Sequence, residues 1–81
     1  MKYEHCVEHA LDRAYERYFM CLDEEDLDII IEMIQAGNAR YAGIDWPTNS
    51  KWFVDYEGET MLVVYNGREK RICTFLPKKE D

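Results

Sequence analysis

The chain has 81 residues, 47% of them apolar and 14% aromatic, with 17 acidic side chains against 10 basic ones and a net charge of −7. That length bounds it to a single domain over residues 1–81, and the aromatic content excludes low-complexity disorder. No apolar run approaches the roughly 20 residues that cross a bilayer, and the charged start at Met1-Lys2-Tyr3-Glu4-His5 does not read as a signal peptide, so the expectation is a cytoplasmic protein without a membrane partner.

Residues 5 to 19 place Val7, Ala10, Leu11, Ala14 and Tyr18 at spacings of three and four, the period of a helix with one buried face. A second helix is predicted over about 24–36. Asp23 is its N-cap, accepting from the amide of Asp26, the acids of its first turn oppose the positive end of the helix dipole, and Gly37 ends it. Leu27, Ile30, Ile31 and Ile34 form one apolar stripe and Ile29, Met33 and Ala36 another, so this helix is expected to be covered on most of its circumference.

After Asn38 the period becomes two. Strands are predicted at about 51–56, 59–65 and 69–75, joined by Glu57-Gly58 and by Asn66-Gly67, with a short strand near 39–42 followed by a loop from Gly43 to Ser50. The order α-α-β-β-β-β gives an α+β class: two N-terminal helices packed on an antiparallel meander of three or four strands. Parity puts Trp52, Val54, Tyr56, Met61, Val63, Tyr65 and Ile72 on one sheet face and Phe53, Leu62, Val64, Cys73 and Phe75 on the other. Both faces are apolar and only two helices exist to cover them. One face is therefore expected to stay open for a partner or a second copy, unless one helix covers each.

Cys6, Cys21 and Cys73 include no Cys-x-x-Cys pair, which predicts buried, reduced thiols rather than a disulfide framework or a zinc ribbon. His5, His9, Arg13 and Arg17 recur every four residues along one side of the first helix, a column suited to phosphate or to salt bridges with acids elsewhere in the fold. His5 and His9 with Cys6 lack a third well-placed metal ligand, so no metal and no cofactor is expected. The whole surplus of −7 lies in residues 1–45, and six carboxylates, Asp23, Glu24, Glu25, Asp26, Asp28 and Glu32, crowd ten positions with no Lys or Arg among them. Such a run caps and solubilises a helix, and it can also mimic phosphates in a basic groove. Trp46, in a polar loop, is either a lid or an anchor.

The first-helix pattern His9-Ala10-Leu11-x-Arg13-x-x-x-Arg17, the acid-rich second helix and the closing strand Ile72-Cys73-Thr74-Phe75-Leu76-Pro77 together resemble small proteins of the RelE-like superfamily. That superfamily includes toxin ribonucleases and mobile-element proteins. The resemblance implies a RelE-like fold and, if the activity carries over, a metal-independent endoribonuclease with His9 as acid/base, Arg13 or Arg17 stabilising the phosphorane-like charge, and Thr74 assisting. The chain departs from that pattern in charge, since toxins of this fold are basic, and −7 opposes the approach of RNA. Its size and charge are similar to those of small acidic phage inhibitors of host defence, anti-CRISPR proteins among them.

Three functions follow as expectations. The first is a protein-binding module that inhibits a nucleic-acid-handling host protein by presenting the six acids with Trp46, Trp52, Tyr56 and Tyr65 to its basic surface. The second is the endoribonuclease, and the third is a homodimerising domain without catalysis.

Overall fold

In the computed structural model the chain is described at residues 2–45 and 48–77, with side chains from residue 7 onward. Its elements are α1 (Lys2–Tyr18), α2 (Glu24–Gln35), β1 (Arg40–Asp45), β2 (Asn49–Tyr56), β3 (Glu59–Asn66) and β4 (Arg71–Leu76). The four strands form one antiparallel meander in the order β1-β2-β3-β4, the α+β architecture expected of the pattern.

The helix ends are set by local chemistry. At the start of α2 the Asp23 carboxylate accepts from the amide of Asp26 at 3.1 Å, and the Asp26 carboxylate accepts from the amide of Asp23 at 3.0 Å, a reciprocal capping box. At its end Gly37 takes φ +83. The amides of Asn38 and Gly37 reach back to the carbonyls of Met33 and Ile34, closing a Schellman motif. The end of α1 is less conventional: Phe19, not a glycine, holds the left-handed position at φ 57, while the Met20 amide reaches the Ala14 carbonyl.

Both helices lie on one face of the sheet. Ala10, Ala14 and Tyr18 from α1 and Leu27, Ile30 and Ile34 from α2 form a single core with Val54, Met61, Val63, Tyr65, Ile72 and Phe75. The two fully buried alanines let α1 lie close along β4. Tyr18 then reaches into the sheet: its hydroxyl accepts from the Leu62 amide at 3.0 Å and donates to the Leu76 carbonyl. Leu62 and Leu76 are partners across β3 and β4, so the tyrosine oxygen bridges the two strands at that rung.

Several expectations are corrected by local geometry. The β3–β4 register shifts between Val64 and Tyr65, with Tyr65 opposite Ile72 and Val64 opposite Thr74. Cys73 is the extra residue of this bulge. Ile72 and Phe75 therefore share the helix-bearing face, and Phe75 is fully buried there instead of lying opposite Ile72 as strict alternation requires. β1 runs on to Asp45 and does not stop near Ala42, because Gly43, at φ +130, sits at a second bulge inside the strand. Residues 67–70 form the β3–β4 turn, longer than the two residues an Asn-Gly hairpin needs. The Asn66 side chain accepts from the amides of Arg68 and Glu69 at 2.9 and 2.8 Å, and Lys70 closes the turn in the left-handed region at φ 58. Glu57 and Gly58, by contrast, do form a two-residue turn with positive φ at both positions, 53 and 81, between the paired Tyr56 and Glu59. On α2, Ile29 and Ala36 are exposed, since the helix lies as an outer layer over one sheet face.

Candidate functional site: an acidic helix face beside exposed aromatics

The six acids of the α2 region divide into two groups. Asp23 and Asp26 are engaged by the capping box, and Asp26 also accepts from the Tyr56 hydroxyl, which joins the first turn of α2 to the end of β2. The Tyr56 bond holds the Asp26 carboxyl below its ordinary value, helped by the Asp23 amide, and in return pushes the Tyr56 phenol up to about 12. Glu24, Glu25, Asp28 and Glu32 are exposed, and among the described residues no ion pair engages them. Glu24, Asp28 and Glu32 succeed one another at four-residue steps, each about 6 Å along the axis, with Glu25 and the half-exposed Ile29 beside them. Glu24 and Asp28 share the rim of a cleft of ≈ 240 Å³ with Lys70 and Arg71, above Leu27 and Ile72.

The aromatics expected beside these acids are placed differently. Tyr65 is buried, and its hydroxyl accepts from Gln35 on α2. Trp52 and Tyr56 are half-buried against the core beneath the helices. Trp46 lies outside the described residues. The Trp/Tyr/Met face of the sheet is thus the face that the helices cover. The other face bears Phe53, Leu62, Val64, Thr74 and Leu76, yet Leu62 and Val64 are only 3% and 1% exposed, and the Arg40 guanidinium lies 5.8 Å from the centre of the Phe53 ring. Large apolar side chains are exposed elsewhere, at Tyr15, Phe19, Ile29, Tyr41 and Ile44.

Of these, Tyr15 and Phe19 sit at the α1 end, with only residues 20–23 between Phe19 and α2. Their rings meet edge to face at 6.3 Å, and Phe19 is 80% exposed while holding a backbone conformation that costs a non-glycine residue about 1 kcal/mol or more. The sequence reading missed this pair. Tyr15 stands four residues after Leu11 and three before Tyr18, at the border of the apolar stripe, where helical period alone does not separate core from solvent.

The basic column on α1 is partly committed to the fold. Arg13 pairs with Glu16 at 2.7 Å, and the Arg17 Nε donates to the Phe75 carbonyl at 3.0 Å, one residue beyond Thr74. His9 is exposed, Thr74 is half-buried on β4, and the side chains of His5 and Cys6 lie outside the described residues. The fold thus brings Arg17 to the strand that carries Thr74 and leaves His9 two turns away on the same helix. Cys21 is exposed in the α1–α2 connection, contrary to the expectation of buried thiols, and the half-buried Cys73 thiol lies 3.8 Å from Asn49 Oδ1.

No helix among the described residues is long and apolar enough to cross a membrane. Comparison with known protein families, characterised proteins and solved structures finds no match to this chain.

Proposed function

We propose that this protein is a small acidic protein-binding module of RelE-like type, encoded by a phage or mobile element. It acts in the host cytoplasm by occupying the basic surface with which a host defence protein holds nucleic acid. The observation that carries the reading is the exposed row Glu24, Glu25, Asp28 and Glu32, which no basic side chain pairs with among the described residues. A row of carboxylates about 6 Å apart on a rigid helix offers a cationic groove a phosphate-like charge pattern, and charge of this kind steers encounter and sets register. Affinity then needs a desolvated anchor, and the exposed Tyr15–Phe19 pair is chemically suited to that role.

The test replaces Glu24, Glu25, Asp28 and Glu32 with Lys, leaving Asp23 and Asp26 to cap the helix. Host proteins captured on the immobilised wild type are identified and challenged with duplex DNA or RNA. The reading expects a nucleic-acid-binding protein that is displaced by the nucleic acid and absent from the quadruple variant, whose circular dichroism is unchanged. Capture that survives both the substitution and the competitor refutes it.

A further inference from the structure

We infer that β1 is a self-complementary edge through which two copies of the chain pair, antiparallel, about a two-fold axis. The two edges of the sheet are not alike. β4 has α1 along it, with Arg17 on the Phe75 carbonyl, whereas β1 has, among the described residues, a strand partner, β2, on one side only. Its sequence, Arg40-Tyr41-Ala42-Gly43-Ile44-Asp45, carries two of the large exposed apolar side chains of the described protein, Tyr41 at 57% and Ile44 at 67%.

The bulge makes the strand symmetric. Residues three or five apart in a regular strand point to opposite faces. Here the register shifts between Tyr41 and Gly43, so that Tyr41 pairs with Trp52 and Ile44 with Ser50, both on the helix-bearing face. Arg40 pairs with Phe53 and Asp45 with Asn49, both on the other face. A two-fold axis through the Ala42–Gly43 bond, perpendicular to the sheet, sets Tyr41 of one copy against Ile44 of the next on one face. On the opposite face it sets Arg40 against Asp45. Each contact occurs twice, and the small Ala42 and Gly43 meet at the axis. The strand is neutral within a chain of charge −7, so the two acidic copies meet at an edge that does not repel itself. Tyr41 is already oriented by its edge-to-face contact with Trp52, at 5.2 Å. Arg40 holds Asp55 at 3.1 Å and remains 59% exposed, with guanidinium donors to spare. The acidic face of α2 takes no part, so this pairing stands independently of the proposed function.

One short strand from each copy makes a small interface, so a dissociation constant of about 10–100 µM is expected. Sedimentation equilibrium of the wild type at ~200 µM, above that range, is expected to give a weight-average mass about 1.6–1.9 times the 9.7 kDa chain mass. Arg40→Asp alone sets Asp against Asp45, and Asp45→Arg alone sets Arg40 against Arg; each weakens association by ~10-fold or more. Mixing the two variants restores both opposite-charge pairs, and the mixture at the same total concentration gives a higher mass than either component alone. A monomeric wild type at that concentration, single variants that dimerise as the wild type does, or a mixture no heavier than its components overturns the inference. Circular dichroism of each variant, matching the wild type, ties a loss of dimer to the edge and not to unfolding.

Discussion

Replacing Tyr18 with Phe removes one oxygen atom and leaves the ring and its packing in place. The lost atom accepts from the Leu62 amide and donates to the Leu76 carbonyl, at a rung of the β3–β4 ladder that the hydroxyl bridges. Leu62 is 3% exposed, so water does not readily replace the missing partner. Two neutral hydrogen bonds at about 0.5–1.5 kcal/mol each set the cost near 1–3 kcal/mol, the lower end applying if the strands draw together into a direct bond. For a domain of this length a loss of about 2 kcal/mol lowers Tm by roughly 8–16 °C. Urea unfolding followed by far-ultraviolet circular dichroism measures the difference, with an unchanged m-value showing that the transition is otherwise the same. Amide exchange at Leu62 supplies a local readout, since protection there falls more than at Val63 in the variant. Tyr15→Phe is the control, as that tyrosine is exposed and only its ring is in contact. If Tyr18→Phe stays within about 0.5 kcal/mol of the wild type, like an ordinary surface change, the bridging role is refuted.

The Tyr56–Asp26 bond makes stability depend on pH at both extremes. The Asp26 carboxyl is held below its ordinary value of 3.8, so its contribution is present above that value and is lost as pH falls through the folded one. The Tyr56 phenol is pushed up from 10.0 to about 12, so its contribution is full below pH 10 and disappears toward pH 12. Tyr56→Phe is expected to flatten the Tm profile in both windows, whereas parallel profiles for the two proteins would refute the coupling. At the β2–β3 turn, Glu57 sits at φ 53, where Asn is better tolerated, so Glu57→Asn is expected to raise stability by about 0.5–1 kcal/mol in the same urea assay. A decrease would mean that the Glu57 side chain has a stabilising role of its own.

The succession of two helices and four strands, the Asp23 cap and the Gly37 stop are written in nearest-neighbour chemistry. A carboxylate three residues from an amide and a glycine at a left-handed position act within one turn of backbone, so the residues alone dictate them. The Asn66-Gly67 turn shows where local chemistry misleads. The residue pair is right for a two-residue hairpin, yet the Asn66 carboxamide takes two backbone amides and opens a longer turn. The candidate site was half legible in the same sense. Glu25, Asp28 and Glu32 face solvent because helical period turns them away from Leu27, Ile30 and Ile34, with Glu24 at the edge of that stripe.

What the sequence determined by itself is therefore the class of fold, the ends of α2 and the acidic row upon it. Only the tertiary structure decided which sheet face the helices cover. Alternation assigns residues to two faces without saying which is inside, and each bulge exchanges the faces for every residue beyond it. The bulge at Cys73 carried Phe75 into the core, and the one after Tyr41 turned Tyr41 and Ile44 to the same side. With both helices gathered over Val54, Met61 and Val63, Trp52, Tyr56 and Tyr65 became structural, and exposure passed to Tyr15, Phe19, Tyr41 and Ile44. The physical reason is that burial depends on what lies above a side chain, and that is a property of chain segments far apart in sequence.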